Sequence, residues 1–494
     1  MEGAFAHPVV LLDSLMVRTW EAGPLKSPAH LNVLTSPIQE QPGAMRPGRP
    51  SSSMSAAHVL YRSALRGLKA VSPLLSGGPS KLSRGLRGRR DSHEQLAQWG
   101  RSSRDPGQPT VWVHASSVGE ALQARSVLEA VRERVPELQV AFTFFSPSAE
   151  AMASTYPADV TSYLPWDLPR TMGSVLDALR PSVLLFTQKE VWPTLTTEAG
   201  VRGVPTLLIA GTLSQGAGRL RWPARAVLTP AFASLAAVAA ISSEDGERFG
   251  RLGVPTDRIV VTGDPGIDSA WSRASGVDLD APHMRLFRNE RGPIVDEPGP
   301  ILIAGSTWES DEAVLFPALA QVRRTNPDLR LILAPHEPGR CDFEGLKRRL
   351  VLDGWTPTLL ADAERLGGLD GTDAVLVERV GVLADLYAVA TVAYVGGGFH
   401  AHGLHSVLEP AAASVPVLFG PRYQGSDSAS RLLAIEGARV ASDGDSLVRE
   451  LRRWLDDAEE IVHAGRRAAG YIEEHRGAAT RTADLVTSYL SEST

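Results

Sequence analysis

The chain has 494 residues, of which 43% are hydrophobic and 21% charged, as is typical of a soluble globular protein with about two or three domains. Its single cysteine, Cys341, excludes an internal disulfide and a thiolate metal cluster, and it is compatible with a reducing cytoplasm. The net charge is −6, and only residues 54–104 are basic, with ten Lys/Arg against two Asp/Glu. Such a local basic segment on an acidic chain does not predict a nucleic-acid partner.

Residues 1–53 are rich in Pro, Ser and Gly and show no sustained hydrophobic period, so we expect a disordered tail. No basic region precedes the short apolar run at residues 8–17, which argues against a signal peptide. Met54 opens the first segment with helical periodicity. Our hypothesis is that translation starts there and that the tail lies upstream of the true start.

Residues 54–104 are predicted to form a basic amphipathic segment. Apolar residues at positions 60, 64, 65, 68 and 71 share one helical face, and Arg62, Arg66 and Lys69 lie off it. This pattern favours a helix on an anionic membrane surface, and the alternative is a first helix packed on the protein body. The longest uncharged run, Ala226 to Ser243, contains Pro230 and few large aliphatic residues. It predicts a helix and a strand rather than a membrane span, and hence a soluble or peripheral protein.

Strands and helices alternate from residue 110, a pattern that predicts parallel sheets covered by helices. A polar region rich in Pro and Gly interrupts the alternation, and we predict domains at 105–270 and 299–494 with a linker at 271–298. Two Rossmann-like α/β domains facing a cleft would place a ligand at the carboxyl ends of their strands. The predicted strands are Thr110–His114, Val140–Phe144, Val183–Thr187, Thr206–Ala210, Ala237–Ile241, Ile259–Thr262, Ile301–Ala304, Leu329–Ala334, Ala374–Glu378, Val392–Val395, Pro416–Phe419 and Ala438–Ala441.

The segment His114 to Glu120 joins the first predicted strand to a helix. Gly119 permits a tight loop, and Glu120 then lies in the first helical turn, where the helix dipole is expected to keep its carboxylate ionised. An ionised carboxylate at this edge of a sheet can accept a proton from a bound substrate. A glutamate that only helps the helix to start is the equally weighted alternative.

The second informative segment runs from Val395 to Ala413 and begins with three glycines after a strand. Glycine amides and a helix starting near Ser406 would favour an anionic phosphate, and Glu409 could accept hydrogen bonds from a ribose diol. The dinucleotide fingerprint fits poorly, because no acidic residue follows about 20 residues on. The spacing of His400, His402 and His405 resembles a metal site, but no carboxylate stands in ligand register, so we expect no metal.

Several ordered motifs resemble those of the bacterial 3-deoxy-D-manno-octulosonic acid (Kdo) transferases over residues 54–490. They are Trp112-x-His114-Ala115-x-Ser117-Val118-Gly119-Glu120, Glu190-Val191-Trp192-Pro193, Ala304-Gly305-Ser306-Thr307-x-Glu309, Gly396-Gly397 with His405-x-x-Leu408-Glu409-Pro410, and Val417-Leu418-Phe419-Gly420-Pro421. The resemblance implies a GT-B fold and an inverting, metal-independent transfer of Kdo from CMP-Kdo to a lipid A precursor. It places the protein peripherally on the cytoplasmic face of the inner membrane, in lipopolysaccharide synthesis.

The resemblance also implies roles for individual residues. Glu120 would be the general base, and Glu190 would support the transition state; from the residues alone, Glu190 could instead form a surface salt bridge with Lys189. Ser117, Gly119, Ser306, Thr307 and His405 would support the site. The expected CMP and donor residues are Pro335, His336, Arg340, Gly381, Val382, Leu383, Gly396, Gly397, Ser406, Val407, Leu408 and Glu409.

The sequence departs from the family pattern at six positions. Gly266 stands where a charge-stabilising lysine is expected, and Trp308 where a histidine is usual. His336 and Glu337 replace an arginine and a histidine, and Ser406 and Val382 replace an asparagine and an acidic residue. Arg340 is a substitute near the nucleotide, and Arg219, Arg221 or Arg422 could compensate elsewhere. The alternatives are a different nucleotide sugar or a non-catalytic paralogue that binds glycolipid or nucleotide.

Overall fold

The computed structural model describes residues 56–78, 80–214, 216–289, 292–293 and 299–491. The predicted tail of residues 1–53 lies outside them. The chain divides into two compact units, the first comprising residues 1–265 with 477–494 and the second residues 266–476. Each unit is built on one parallel sheet of seven strands.

The first unit begins with two helices and continues as an alternation of strands and helices. Its elements are α1 (Ala56–Leu75), α2 (Lys81–Ser102), β1 (Thr110–Ala115), α3 (Val118–Arg134), β2 (Gln139–Phe144), α4 (Glu150–Ala153), β3 (Val160–Tyr163), α5 (Pro169–Leu179), β4 (Val183–Thr187), α6 (Pro193–Val201), β5 (Thr206–Gly211), α7 (Ala224–Ala233), β6 (Ala237–Ala240), α8 (Ser243–Arg251) and β7 (Ile259–Val261). The sheet order is β3-β2-β1-β4-β5-β6-β7, so the strand order reverses between β1 and β4. Ligands of such sheets bind beyond the carboxyl ends of the strands at this reversal.

The central strands are buried along their whole length, β1 and β4 included. Burial on both faces explains why these strands appear in the sequence as nearly continuous apolar runs rather than as alternating ones. Trp112, at the middle of β1, is fully buried in one core layer, and Val111 and Val113 belong to the layer on the opposite face.

The second unit repeats the architecture with its own sheet. Its elements are α9 (Pro265–Ser275), α10 (Pro282–Arg285), the short pair β8 (Arg288–Asn289) and β9 (Gly292–Pro293), β10 (Ile301–Thr307), α11 (Glu309–Arg323), β11 (Arg330–Pro335), α12 (Phe343–Leu352), β12 (Pro357–Leu359), α13 (Leu360–Leu366), β13 (Ala374–Leu376), α14 (Leu383–Leu386), β14 (Val392–Val395), α15 (Leu408–Ala412), β15 (Val417–Phe419), α16 (Asp427–Ala434), β16 (Ala438–Val440), α17 (Gly444–Leu455) and α18 (Ala458–His475). The order β12-β13-β11-β10-β14-β15-β16 reverses between β10 and β14.

The division of the chain differs from the predicted one at two places. The expected linker at 271–298 is partly helical, because α9 already begins at Pro265 and α10 follows at Pro282. The predicted second domain ran to residue 494, whereas the last helix, α19 (Ala478–Ser491), returns to the first unit. Its apolar residues Ala483 and Val486 are buried in the same core layer as α3, and this packing is not visible in a local sequence pattern.

The packing of α1 and α2 contradicts the prediction that the five apolar positions of the first helix share one face. Leu65 is buried, whereas Leu60 is 71% exposed, so the five apolar positions do not form one surface. Tyr61 is also buried and its hydroxyl donates to Asp167 Oδ2 at 2.9 Å. These contacts belong to a helix pair packed on the body of the first unit, which was the alternative interpretation. A deletion of residues 54–90 would therefore disturb the first unit as well as any membrane contact.

Candidate active site

Glu120 lies directly after the carboxyl end of β1, at the reversal of the strand order. The Ser117 side chain caps α3, with its Oγ accepting the Glu120 backbone N–H at 3.4 Å. The Glu120 carboxylate folds back over the loop, and its Oε2 accepts the Ser116 backbone N–H at 2.7 Å. These bonds fix a side chain that is only 5% exposed. The predicted position of Glu120 in the first helical turn is confirmed.

The expectation that Glu120 is ionised by the helix end is corrected. Burial, followed by the nearby charge of Glu190, raises the pKa of Glu120 to about 8. The Ser116 hydrogen bond and the charges of Lys189 and Arg219 act in the opposite direction but are smaller. Desolvation and a like charge therefore outweigh the helix end, and the carboxyl group is mostly protonated at neutral pH.

Glu190 follows β4, the neighbour of β1 across the reversal, after a left-handed turn at Gln188 with φ of 60°. It is 3% exposed, and its Oε1 forms an ion pair with Arg219 at 2.5 Å. The alternative of a surface salt bridge with Lys189 is therefore wrong, because Glu190 is buried and its partner is Arg219. Arg219 lies in the single turn Gly218–Leu220 and was one of three arginines considered as compensation for the absent lysine.

His114, inside the first motif, holds the two glutamate segments together. Its Nε2 accepts the indole N–H of Trp192 at 3.0 Å, and its Nδ1 lies 3.1 Å from Thr143 Oγ1. An indole N–H only donates, so the imidazole proton is on Nδ1. This bond anchors the segment after Glu190 to the end of β1. His114 was not predicted to have a role, although a histidine within an apolar strand is a visible signal in the sequence.

Two glutamines extend the site towards the position of the missing lysine. Gln188 donates to Gln123 Oε1 at 2.7 Å, and Gln123 donates to Asp264 Oδ1 at 2.8 Å. The chain then enters α9, where Gly266 carries no side chain in place of the expected cation. Arg219 and Lys189 are the cations whose charges act on Glu120. Of the three arginines considered as compensation, Arg219 is the one whose charge acts on Glu120.

In the second unit, the glycine segment after β14 binds a buried carboxylate. Asp311 is fully buried and accepts the backbone N–H groups of Gly397 at 2.8 Å and Phe399 at 3.2 Å. The Gly396 N–H donates to Gly305 O, and a Cβ on Gly396 would stand 2.2 Å from Ser306 O. The prediction that these amides face a phosphate is thus corrected for Gly396 and Gly397, whose N–H groups already have partners. Close approach of β10 and β14 requires glycine here.

The segment after the glycines contains the predicted ribose acid. The helix begins at Leu408 rather than Ser406, and α15 is only five residues long. Ser406 Oγ accepts the Leu408 N–H at 3.3 Å. Glu409 forms an ion pair with Arg273 of α9 at 2.5 Å, and its side chain is 20% exposed. A ribose diol would therefore have to share Glu409 with an arginine.

Four histidines pack around Trp308, the residue that replaces a family histidine. His400 stacks on Trp308 at 4.2 Å, His336 stacks on His405 at 4.2 Å, and His402 lies 4.7 Å from His400. The Trp308 indole donates to His405 Nε2 at 2.9 Å. Burial and the three other histidines lower the pKa of His405 to about 3. No group of His, Cys, Asp or Glu within the described ranges is arranged to hold a metal ion.

The other predicted donor residues lie at the same edge of the second sheet. Thr307 ends β10 and donates to Glu312 Oε1 at 2.8 Å, and Ser306 before it has φ of 55°. Pro335 ends β11, and the His336 N–H donates to Thr307 O. Val382 is the buried N-cap of α14, which begins at Leu383, and Gly381 before it has φ of 95°. Arg340 forms an ion pair with Glu337 at 3.3 Å. Val407 is fully buried next to Leu408.

Residues 90–269 match the family model described as 3-deoxy-D-manno-octulosonic-acid transferase (kdotransferase). The 3-deoxy-D-manno-octulosonic acid transferase of Haemophilus influenzae is 26% identical over 401 residues, covering 80% of this chain and 91% of the relative. The enzyme of that name from Bordetella pertussis is 28% identical over 394 residues, covering 77% and 87%.

Solved structures of other proteins have a similar fold over a stretch of the chain that includes both units. The UDP-GlcNAc 2-epimerase from Neisseria meningitidis, bound to UDP-GlcNAc, aligns over 78% of this chain and 100% of its own, with a TM-score of 0.54 and 12% identity. A glycosyltransferase from Rickettsia africae has the same coverage, with a TM-score of 0.51 and 8% identity. At such identities the likeness concerns the fold alone. The predicted GT-B class with two Rossmann-like units is confirmed.

Proposed function

We propose that this chain, a glycosyltransferase related to the 3-deoxy-D-manno-octulosonic acid (Kdo) transferases, moves Kdo from CMP-Kdo to a lipid A precursor with inversion at the anomeric carbon. The similarity to these relatives supports the reaction class. The mechanism is supported by one observation, the buried pair of Glu120 and Glu190 at the strand reversal. The acceptor and the donor nucleotide follow the names and pattern of the family.

Glu120 is the general base in this proposal. An attacking sugar hydroxyl must lose its proton, and an acid whose pKa lies near the working pH is a better acceptor than an ordinary carboxylate. Burial and Glu190 bring the pKa of Glu120 to about 8. Ser116 and Ser117 hold the group in a fixed direction, so the base does not have to reorganise during transfer.

Glu190 and Arg219 are positioning residues for Glu120 and its surroundings. Their ion pair is almost fully buried, with side chains 4% and 12% exposed. The negative charge of Glu190 raises the pKa of Glu120, and the positive charge of Arg219 moderates that rise. The charge that develops as the donor bond breaks would be stabilised by such fixed groups, and no metal is needed for this role.

The donor site is proposed at the strand reversal of the second unit. The ends of β10, β11 and β14 bring Thr307, His336 and Gly397 to one edge of its sheet. Glu409 would bind the ribose after partial release from Arg273. CMP is a good leaving group, so its phosphate requires charge stabilisation rather than a strong acid.

The decisive experiment combines purified protein, CMP-Kdo and a lipid A precursor, with CMP release as the measurement. CMP release that requires both the acceptor and Glu120 supports the proposal. Release from another cytidine or uridine sugar alone would indicate a different donor. CMP binding without any turnover would indicate the non-catalytic alternative.

We further propose a peripheral location on the cytoplasmic face of the inner membrane, where the acceptor would be found. Across the described ranges, no helix combines the length and apolar character that crossing a bilayer requires. Leu60 and Leu74 on α1 are 71% and 85% exposed, and Lys69 and Arg66 lie on the same helix. Exposed apolar and basic side chains together are the two signals that reversible membrane binding needs.

A further inference from the structure

The first unit contains a cavity that the glutamate pair does not line. A cavity of about 530 Å³ lies between α1, α2 and the beginning of α5. We call it the basic cavity, and its lining residues are Lys69, Ser72, Pro73, Ser76, Leu86, Arg89, Arg90, His93, Pro165, Trp166, Arg170, Thr171 and Ser174.

The lining has one sign of charge. It includes Lys69, Arg89, Arg90 and Arg170 together with the titratable His93, and none of the lining residues is a carboxylate. Like charges around one small volume repel each other, and the repulsion is relieved when an anion enters. The clustered positive charges therefore raise the electrostatic free energy of the empty cavity, and a bound anion would lower it.

Arg89 gives the strongest indication that the cavity binds an anion. It is 8% exposed, and its Nε and one terminal nitrogen are buried without a hydrogen-bond partner. Its guanidinium carbon lies over the ring of Phe145, 3.6 Å from the ring centre. The same carbon lies 5.8 Å from the ring centre of Trp166, which lines the cavity. Among the described ion pairs, none includes Arg89, and burial lowers its pKa to about 9.

Ring faces compensate a buried cation only in part. A buried guanidinium without a carboxylate partner is normally too costly to retain, because charges taken out of water require pairing. The cavity that Arg89 lines is the place where a counter-anion can stand. The missing partner is therefore expected to come from a ligand.

The start of α5 adds a second anion-favouring feature. This helix has 11 residues, and its N-cap, Leu168, provides no side-chain hydrogen bond. Arg170, Thr171 and Ser174 of its first turns line the cavity. The N–H groups at a helix start and nearby hydroxyl groups are donors that suit phosphate oxygens.

We propose that the basic cavity binds a phosphate monoester. A dianionic phosphate offers more charge and more acceptor oxygens than a carboxylate, in keeping with several cations, two hydroxyl side chains and a helix start. That the phosphate belongs to the glycolipid acceptor rests on the proposed function. The binding site itself rests on the unpaired Arg89 and the charge of the lining.

Contacts between rings connect this cavity to the glutamate site. Phe145, beneath Arg89, lies 5.4 Å from the ring of Trp192, which in turn lies 5.9 Å from His114. Asp167, next to the lining residue Trp166, accepts the backbone N–H groups of Thr194 and Leu195 at the start of α6. An acceptor held by its phosphate in the cavity would therefore lie along the same carboxyl edge of the sheet as Glu120.

The test measures binding of methyl phosphate to the full chain by calorimetry, with methyl sulfate as the monoanionic comparison. Arg170→Gln and Arg90→Gln alter exposed lining residues, and each should weaken methyl phosphate binding about tenfold, as expected for a lost charge-assisted hydrogen bond. Arg225→Gln removes the same charge from an exposed position of α7 outside the cavity and should leave binding within about twofold. Equal losses in all three variants, or none, would overturn the proposal.

A second comparison separates a specific phosphate site from general attraction to a membrane. Vesicles of phosphatidylcholine with phosphatidic acid should compete with methyl phosphate, whereas vesicles with phosphatidylglycerol, a diester, should compete poorly. Equal competition by both anionic vesicles, with methyl phosphate itself unbound, would show a membrane surface site instead. Arg89→Met is informative only beside these variants, because loss of a buried residue can also affect folding.

The transfer assay distinguishes this inference from the proposed function. Arg170→Gln should raise the KM for a phosphorylated acceptor about tenfold and leave kcat and the KM for CMP-Kdo unchanged. Methyl phosphate binding without any CMP release by the wild-type chain would reject the transfer and retain the cavity. CMP release with no methyl phosphate binding would reject the cavity and retain the transfer.

Discussion

The two strand reversals of this protein differ in how their acidic side chains are held. At the first, Glu120 and Glu190 are buried beside each other, and the pKa of Glu120 is raised to about 8. At the second, the charged groups are paired within the unit, Glu409 with Arg273 and Asp311 with backbone N–H groups. The first site thus holds an acid near its titration point, as proton transfer requires. At the second, a ribose bound by Glu409 in the proposed donor site would have to replace the contact with Arg273.

The largest effect is expected from Glu120→Gln, which preserves the shape and removes the base. CMP release should fall by about 10²- to 10⁴-fold, while CMP affinity stays unchanged because the nucleotide is assigned to the second unit. The matched control is Glu129→Gln on the same helix, where an exposed carboxylate pairs only with Arg125. Turnover of the Glu120 variant within about threefold of the control would remove Glu120 from the mechanism.

Glu409→Ala should weaken CMP binding by about 1–3 kcal/mol, or roughly fivefold to more than a hundredfold, as measured by calorimetry. The reason is the loss of hydrogen bonds to the ribose diol. Glu459→Ala provides a control in the second unit, because Glu459 is exposed in the first turn of α18. Unchanged CMP affinity of the Glu409 variant would assign this residue to the ion pair with Arg273 alone.

The pH profile of transfer should reflect the raised pKa of Glu120. Only the ionised carboxylate is a base, so kcat should increase about tenfold per pH unit below a midpoint near 8 and then level off. Because the charge of Arg219 lowers the pKa of Glu120, Arg219→Gln should move the midpoint to higher pH. Arg225→Gln, on the exposed surface of α7, should leave it in place. A midpoint near 4, with Arg219 intact, would contradict the assignment of the base.

The smallest effect is expected from chelation. EDTA should leave CMP release unchanged, and elemental analysis should find less than stoichiometric zinc despite the four histidines around Trp308. The Trp308 indole N–H already occupies His405 Nε2, so this nitrogen is not free for a metal. One zinc per chain, or loss of activity that added zinc restores, would bring back the metal interpretation of these histidines.

Much of the fold could be predicted, because buried parallel strands leave continuous apolar runs. Thr110–His114 and Val183–Thr187 correspond to β1 and β4 almost residue for residue. The strand β3 (Val160–Tyr163) was missed, since its Thr161 and Ser162 interrupt the apolar run. The return of α19 was missed too, because which sheet a terminal helix covers depends on surfaces that are distant in sequence.

The candidate site was predicted unevenly for a similar reason. Glu120 and Glu190 were found through their motifs, and the structure places both at one strand reversal. The partners Arg219 and His114 depend on neighbouring strands that are far apart in the chain. The glycine N–H groups were predicted to face a ligand phosphate, since nothing local in the sequence connects Gly397 to Asp311.

The sequence by itself determined the α/β class, the resemblance to the Kdo transferases and the two glutamates, because strand periodicity and ordered motifs are local properties of the chain. Only the tertiary structure decided the charge state of Glu120, since its pKa depends on burial and on Glu190, which lies 70 residues further along the chain. The lack of an ion-pair partner for Arg89 among the described residues is likewise a tertiary property. A basic run in the sequence looks uniformly solvated, and folding buries one of its arginines beside two aromatic rings and a cavity.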